Sequence, residues 1–186
     1  KYTYRYLPKK RREVNDYPSC NFLVLRSVMQ ELGGFNTNFW PGEDTKLCLD
    51  ITRRLSKKII YDPRVLVYHH RRPVFLAHLR QVANYALHRG YFAKKYPGTS
   101  LKLAYFIPTL FLFALIGGAI LSLILTPIRI IYYLGLFLYL ILALISSIHK
   151  ELRLIPLVFS GIILTHLSYG FYFLRGLISK RLKEEL

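Results

Sequence analysis

An uncharged run of 24 residues, 103–126, constrains the fold of this chain more than any other feature of its sequence. As a helix it would be ~36 Å long, enough to cross the ~30 Å hydrocarbon core of a bilayer. A second uncharged run, 130–148, would reach ~28 Å, and only three residues separate it from the first. The sequence therefore predicts two membrane helices joined as a tight hairpin.

A third apolar segment, 154–174, is ambiguous. Its second half contains Thr165, His166 and Ser168 and is the least lipid-like part of the membrane region. A third crossing would also carry the basic residues that follow it to the outer side, against the positive-inside tendency. The segment crosses the bilayer, re-enters it or lies at its interface. For His166 we expect helix packing or interfacial anchoring rather than catalysis, although an ionisable residue in a membrane is often functional.

Charge is segregated from these apolar runs. Residues 1–102 hold 20 Lys and Arg against 7 Asp and Glu, residues 103–186 hold 7 against 3, and the net charge is +17. Lys94, Lys95 and Lys102 precede the first run, so we expect the N-terminal part on the cytoplasmic side of a multi-pass protein of the cell membrane. The basic, tyrosine-rich opening suits anionic lipid or a diphosphate. Because no nucleic-acid-binding module accompanies it, we expect no nucleic-acid partner.

Between the charged and apolar parts, residues 74–102 form a region of mixed character. Apolar positions at 75, 79, 82, 83, 86 and 93 share one helical face, and Arg80, Asn84, His88 and Lys95 share the other. This pattern predicts a helix over 74–96 that lies in the membrane interface, held there by its lipid contacts. The alternative is an ordinary amphipathic helix packed on a domain.

Several local patterns define the part before residue 74. Ser27 and Gln30 predict a capping box for a short helix that Gly33 and its neighbour end. Residues 65–68 are predicted to form a buried strand after a turn. Cys20 and Cys48 are too few and too far apart for a zinc site and are expected to be reduced core residues.

Glu43 and Asp44 follow Gly42, which can cap a helix whose buried stripe is Leu47, Ile51 and Leu55. Both carboxylates then fall in the first turn, where free amide groups and the helix dipole favour negative charge. On spacing alone, the pair stabilises a helix start and needs no further role.

The segment 21–72 also carries a series of short motifs in a fixed order. They are Asn21-Phe22-Leu23, Gly33-Gly34-Phe35, Gly42-Glu43-Asp44-Thr45, Leu47-Cys48-Leu49, Ile60-Tyr61-Asp62-Pro63 and Val67-Tyr68-His69-His70. In this order and spacing the segment resembles the second half of the catalytic domain of family 2 glycosyltransferases, which have the GT-A fold. The resemblance implies an α/β fold for residues 1–73, the C-terminal half of a GT-A-like domain, followed by α-helical transmembrane segments in residues 103–186.

The resemblance assigns roles to particular residues. Asp44 matches the catalytic base of an inverting transfer, and Glu43 is expected to orient rather than react. Substrate binding is assigned to Asn21, Trp40, Gly42, Arg71 and Arg72. Outside the matched segment, Arg89 is a further candidate, which would line the path of the acceptor. His69 is a candidate metal or phosphate ligand. For His69 and the arginines, a basic collar beside the bilayer is the alternative.

Part of the family pattern is missing. The Asp-x-Asp motif, which in the family holds the metal and the diphosphate, does not occur. We therefore expect a C-terminal fragment that is inactive alone, with a divalent metal, Mg²⁺ or Mn²⁺, bound mostly by a preceding half. A Gln-x-x-Arg-Trp motif is also missing, which favours addition of one sugar at a time.

The sequence thus predicts a glycosyltransferase at the cytoplasmic membrane face. It would move a sugar from a nucleotide-diphosphate donor to a lipid-linked or saccharide acceptor. The alternative is a non-catalytic membrane subunit for docking or assembly that kept a degenerate transferase domain.

Overall fold

The computed structural model describes residues 9–68 and 72–182, most of which are helical. The described chain divides into two compact units. The first comprises residues 9–68, 96–99 and 180–182, and the second comprises residues 72–95 and 100–179.

The first unit is built on a small antiparallel sheet and two short helices. Strand β1 (Arg12–Val14) pairs with strand β2 (Ile59–Tyr61), with Glu13 opposite Ile60. Helix α1 (Arg26–Leu32) and helix α2 (Glu43–Leu49) lie between the strands in sequence, and a π-helical turn, Asp50–Arg54, extends α2. Their apolar faces meet in one core, formed by Val28, Leu47, Cys48, Ile51 and Ile59. The predicted stripe that begins at Leu47 therefore faces this core.

Helix α1 ends as predicted but begins differently. Gly33 has φ 76° and ψ 19°, a left-handed conformation that favours glycine, and its N–H donates to Gln30 O at 3.2 Å. The predicted capping box is wrong, because Leu25 is the N-cap and makes no side-chain cap hydrogen bond. Ser27 lies within the helix, one residue after its start, so it is not the N-cap residue and its hydroxyl does not cap the helix.

Two burial predictions for the first unit are also wrong. Residues 65–68 are exposed, and they form no strand in the described part of the chain, whose sheet has two strands. A buried strand needs a neighbour on each side, and the described residues provide none. Cys48 is buried as predicted, whereas Cys20 is exposed on the 3-10 turn Ser19–Asn21.

The second unit contains four long helices. They are α3 (Leu76–Lys95), α5 (Leu103–Ile124), α6 (Thr126–Ser147) and α7 (Ile155–Ile178). A short helix, α4 (Pro97–Ser100), follows α3, and all of it except Ser100 belongs to the first unit. Within residues 9–68 and 72–182, three helices are long and apolar enough to cross a membrane: α5, α6 and the stretch Leu152–Ile178 that includes α7. The chain is therefore compatible with a membrane protein, as its three apolar runs predict.

Helices α5 and α6 form an antiparallel hairpin. Near their connection, Arg129 Nε donates to Ser122 O at 2.9 Å. Further along, the Tyr132 hydroxyl donates to Leu115 O at 3.3 Å, and the Tyr132 ring packs where Gly118 leaves space. Residue numbers rise along one helix as they fall along the other, so the tight turn joins two antiparallel helices as predicted.

Helices α3 and α7 run parallel to each other. Three contacts define the direction: Val74 with Gly161, His78 Nε2 with Thr165 Oγ1 at 3.1 Å, and Lys94 Nζ with Ser179 O. Both residue numbers rise together from the first contact to the last. The two helices therefore pack side by side along the full length of α3.

Two glycines bring the backbones of α3 and α7 together. A Cβ at Gly90 would lie 2.9 Å from Leu177 N, and a Cβ at Gly176 would lie 2.9 Å from Tyr91 N. Each position therefore excludes any side chain. A third glycine of α7, Gly170, faces α5 in the same way, where Thr109 Oγ1 donates to Gly170 O at 2.9 Å.

The predicted amphipathic helix exists as α3, but its polar face is smaller than expected. Ala83, Ala86 and Ala93 are buried as predicted. His88, predicted on the polar face, is also buried, with Nδ1 2.9 Å from Asn84 O. Helix α3 packs on α7 and also on the start of α5. Its buried surface is therefore wider than the single apolar stripe that the sequence predicts.

Candidate functional site

The start of α2 holds the two candidate catalytic carboxylates. Gly42 is the N-cap, and Glu43 and Asp44 occupy the first turn as predicted. Asp44 Oδ1 accepts the Thr45 N–H at 2.7 Å, and Asp44 Oδ2 accepts the Ser19 N–H at 3.3 Å. Backbone donors and the helix dipole both favour a negative charge here. The Asp44 carboxylate is thus oriented from two sides.

A second aspartate, which sequence reasoning missed, belongs to the same cluster. Thr45 Oγ1 donates to Asp16 Oδ1 at 3.1 Å and lies 3.5 Å from Asp44 Oδ1. A hydroxyl has one hydrogen, so the Thr45 hydroxyl can donate a hydrogen bond to only one carboxylate at a time. The motif Gly42-Glu43-Asp44-Thr45 contains Thr45, so the sequence could have predicted that Thr45 belongs to the cluster. Asp16 gave no signal, because only the tertiary fold brings it to α2.

An exposed aromatic ring lies just before this helix. The turn Thr37–Phe39 is capped by the Asn36 side chain, which accepts the Asn38 N–H at 3.1 Å. Phe39 turns inward, with its ring centroid 5.8 Å from that of Tyr96. Trp40, one residue on, is 57 % exposed. An exposed indole two residues before the cap of α2 can stack on a ligand ring that reaches the carboxylates.

Asn21 lies on the same 3-10 turn as Ser19, which donates to Asp44. Its amide Nδ2 donates to Val65 O at 3.0 Å, so it holds the extended segment that follows β2. Asn21 also lines a cavity of about 250 Å³ whose walls are mostly apolar and include Tyr17, Val28, Lys57 and Tyr61. Asp44 and Glu43 are not among the lining residues, so this cavity is separate from the carboxylate cluster.

An ion pair borders that cavity. Asp62 Oδ2 lies 2.7 Å from Arg64 Nη2, and Asp62 Oδ1 accepts both the Arg64 N–H and the Arg64 Nε–H at 3.0 Å. The side-chain and backbone hydrogen bonds from Arg64 lower the pKa of Asp62 from 3.8 to about 2. Arg64 directly follows the Asp62-Pro63 turn of the motif series. The ion pair between Asp62 and Arg64 therefore stabilises this turn.

The other arginines assigned to substrate lie in the second unit. Arg72 is exposed just before α3. Arg89 is 6 % exposed; its Nε donates to the Tyr85 hydroxyl at 2.9 Å and its Nη1 to Ser100 Oγ at 3.3 Å. Its guanidinium also lies 5.2 Å from the Tyr105 ring centroid. Arg89 therefore joins α3 to the start of α5, and a contact with substrate stays a prediction for both arginines.

Two assigned residues, His69 and Arg71, lie outside the described residues. Over residues 9–68 and 72–182, no group of three or more His, Cys, Asp or Glu is placed to hold a metal ion. Mg²⁺ and Mn²⁺ are bound mainly through oxygen ligands, and Asp16 with Asp44 alone do not form a complete set. The divalent metal stays a prediction, and no step is derived through it.

His166 lies where three helices meet. Its Nδ1 is 3.1 Å from the Tyr139 hydroxyl of α6, and its ring centroid is 6.5 Å from that of Phe111 in α5. This is the helix-packing position expected for the lone histidine of the third apolar segment.

Comparisons with protein-family models, with curated proteins and with solved structures find no significant match to this chain.

Proposed function

We propose that this chain is the acceptor-side part of a membrane-bound glycosyltransferase, with Asp44 as the catalytic base. The observation that carries the proposal is the oriented Asp44 carboxylate at the start of α2, held by the N–H groups of Ser19 and Thr45. It occurs in the motif where the resemblance to family 2 glycosyltransferases expects a base. The exposed Trp40 beside it suits a saccharide ring.

The proposed reaction is a single inverting displacement. Asp44 accepts the proton of an acceptor hydroxyl while that oxygen attacks the anomeric carbon of the donor sugar. The bond from that carbon to the diphosphate oxygen breaks, and the nucleotide diphosphate leaves with the electron pair. A positioned carboxylate base contributes ~10²–10⁴-fold to such a step. Glu43 orients the acceptor, and Thr45 with Asp16 fixes the position of Asp44.

The donor half of the site, in this proposal, is supplied from outside the residues of this chain. A divalent metal bound there would neutralise the leaving diphosphate. The membrane helices hold the reaction near the bilayer, where a lipid-linked acceptor presents its headgroup. Lys94, Lys95 and Lys102 before α5 favour the cytoplasmic face.

The test is transfer activity of the full-length protein that contains this chain, expressed in membranes. UDP-, GDP- and dTDP-sugars are offered with polyprenyl phosphate or glycolipid acceptors, and labelled lipid product is measured. Asp44→Asn should lower turnover ~10²–10⁴-fold with membrane insertion and donor binding retained. Glu31→Gln, an exposed carboxylate of α1, is the matched control and should be as active as the wild type. Near-normal turnover of Asp44→Asn would remove Asp44 from the mechanism.

An exposed apolar surface on the first unit is the observation behind the alternative function of docking. Leu23 and Tyr68 are 87 % and 84 % exposed in the first unit, and Leu25 and Leu66 are exposed as well. Apolar side chains this exposed mark a surface that another protein segment covers. A donor half of the same protein would cover it in an enzyme, and a separate subunit would cover it in a docking protein. An Asp-x-Asp motif roughly a hundred residues before Asp44 favours the enzyme, and its absence from the full-length protein favours docking.

A further inference from the structure

The strand pair of the first unit carries a dense group of cations at one end. Residues 9–12, which read Lys-Lys-Arg-Arg, lead into β1 and are all exposed. Arg64 follows β2, and 83 % of its side chain is exposed. Because Arg12 pairs with Tyr61 in the antiparallel sheet, the residues before Arg12 lie near those after Tyr61. These five cations are called the basic patch: Lys9, Lys10, Arg11, Arg12 and Arg64.

Two carboxylates lie close to the basic patch, and they do not neutralise it. Hydrogen bonds from Arg64 and, to a smaller extent, the charge of Arg11 lower the pKa of Asp62 to about 2. Glu13 pairs with Lys58, with Oε2 3.1 Å from Nζ. Among the residues that the structure describes, no carboxylate lies within ion-pair distance of residues 9–12. The basic patch therefore keeps a strong net positive charge at neutral pH.

The exposure of the basic patch decides the kind of anion that suits it. A site for a single phosphate group collects backbone N–H groups and guanidinium groups around the ligand. The five cations instead lie on open surface, and none of them lines the cavity that contains Asn21. Long, exposed side chains would lose much conformational freedom if they converged on one ion. A surface that presents many anions can bind each cation without that convergence.

An anionic bilayer is such a surface, and the same chain carries helices that can enter a bilayer. Within residues 9–68 and 72–182, three helices are long and apolar enough to cross a membrane. Only residues 69–71 separate the described part of the first unit from the start of the second in sequence. A patch tethered by so short a connection meets headgroups at a high effective concentration, so weak contacts suffice. Each Lys or Arg near an anionic membrane favours the contact by about fivefold.

We propose that the basic patch docks the first unit on the anionic headgroups of the membrane that the apolar helices of this chain enter. The contact is electrostatic, so it strengthens with the fraction of anionic lipid and weakens with salt. No member of the Asp44 cluster belongs to the basic patch. The docking surface is therefore separate from the candidate catalytic site, and it is expected whether or not the chain takes part in sugar transfer.

Fluorescence quenching in nanodiscs tests the proposal on the full chain. In a Cys20→Ser background, Val65→Cys adds an exposed thiol beside Arg64, and Gln30→Cys adds one on α1, while Cys48 is buried. Each thiol receives a small fluorophore, and the nanodiscs contain a lipid with a nitroxide on its headgroup.

We expect phosphatidylglycerol to increase the quenching at residue 65, relative to phosphatidylcholine alone, and to change it less at residue 30. In 1 M NaCl, where the Debye length is about 3 Å, the increase should disappear. No increase at residue 65, an equal increase at both positions, or an increase that survives the salt overturns the proposal.

Matched variants separate the basic patch from the total charge of the chain. Two triple variants each remove three exposed cations, one set from the patch and one from elsewhere in the first unit. They are Lys9→Gln/Lys10→Gln/Arg11→Gln and Arg26→Gln/Arg53→Gln/Arg54→Gln. We expect the patch variant to lower the ratio of docked to undocked protein by ~10²-fold and the control to stay close to the wild type. Equal losses in the two variants contradict a defined patch.

Soluble anions distinguish a lipid headgroup from a free phosphate compound and from a nucleic acid. The chain in phosphatidylcholine nanodiscs is titrated with inorganic pyrophosphate and with poly(U), and the heat of binding is measured. A response to phosphatidylglycerol that the patch variant abolishes upholds the proposal, whether or not poly(U) also binds. Saturable binding of either soluble anion that the patch variant abolishes, without any response to phosphatidylglycerol, reassigns the patch and overturns it.

Discussion

Thr45 Oγ1 donates a hydrogen bond to Asp16 Oδ1 at 3.1 Å, which ties the first turn of α2 to a residue 29 positions earlier in the chain. Thr45 is buried, and its hydroxyl lies between two carboxylates, those of Asp16 and Asp44. The Asp44 carboxylate accepts the backbone N–H groups of Ser19 and Thr45, and the Thr45 hydroxyl that donates to Asp16 lies 3.5 Å from Asp44 Oδ1. The cluster is a positioned acid group rather than a free surface carboxylate.

The first prediction concerns this hydroxyl. Thr45→Val keeps the branched shape and removes the donor, so the Asp44 carboxylate loses a fixed neighbour. We expect kcat to fall about tenfold, equivalent to ~1.4 kcal/mol or one net hydrogen bond, with KM little changed. Thr45→Ser keeps the hydroxyl and should restore most of kcat. The assay is the transfer reaction defined above; a Thr45→Val protein with unchanged kcat would exclude a positioning role.

A second prediction uses Trp40, the only tryptophan of the chain. Because its indole is exposed beside α2, binding of the acceptor that supports transfer should change its fluorescence intensity and shift the emission to shorter wavelength. Trp40→Ala should raise KM for the acceptor more than it lowers kcat, since it removes a binding contact and no reacting group. Titration of the wild-type protein in detergent measures the first effect. A signal that does not saturate with acceptor concentration contradicts a stacking role.

The third prediction concerns the glycines between α3 and α7. Gly90→Ala places a Cβ against the backbone of Phe173 and Leu177, which must move apart. We expect a destabilisation of about 1–3 kcal/mol and a lower Tm, by about 2–4 °C per kcal/mol. Gly117→Ala in α5 meets nothing within 4 Å and is the matched control, where the better helix propensity of alanine applies. Thermal unfolding in detergent micelles, followed by circular dichroism, measures both. Equal Tm values for the two variants would contradict the close approach.

The fourth prediction concerns the pKa of Asp62. Arg64→Ala removes the guanidinium hydrogen bonds but keeps the backbone N–H of residue 64, so the pKa of Asp62 should rise from about 2 part of the way towards its usual 3.8. Arg54→Ala, an exposed arginine in the same unit, should leave it unchanged. Selective carboxyl labelling is practical, because the chain has four aspartates, and ¹³C NMR follows each titration.

The sign of the accompanying stability change follows from the direction of that shift. The folded-state pKa of Asp62 lies below its unfolded value, so the stabilisation is fully present above about pH 3.9. It is lost as the pH falls through about 2. The Arg64→Ala protein should therefore unfold more easily than the wild type near neutral pH and show a smaller difference from it at pH 2. A difference that grows on acidification has the wrong sign.

Features set by local sequence were predictable. The backbone freedom of glycine predicts the cap at Gly42 and the end of α1 at Gly33. The lengths of the apolar runs and helix periodicity predict the hairpin of α5 and α6. These properties act over a few residues or one helix. The start of α2, and with it the place of Glu43 and Asp44, could thus be read from the sequence.

Features set by distant contacts were not predictable. Asp16 reaches Thr45 only through the fold, and the burial of His88 depends on partners far along the chain. The exposure of residues 65–68 depends on a neighbour that the described residues lack. Within residues 9–68 the structure has a two-stranded sheet and two short helices, which do not show the expected α/β GT-A domain, so that domain stays a proposal.

The contact between α3 and α7 has a consequence for the order of events during synthesis. His78 and Thr165 are 87 residues apart. At a translation rate of roughly 5–20 residues per second, α3 leaves the ribosome some 4–17 s before its partner. Through that interval α7 does not yet exist to pack against the face around Gly90, while α5 and α6 are synthesised. The packing of α3 on α7 can therefore form only after α5 and α6 have been made, late in the synthesis of the part of the chain that the structure describes.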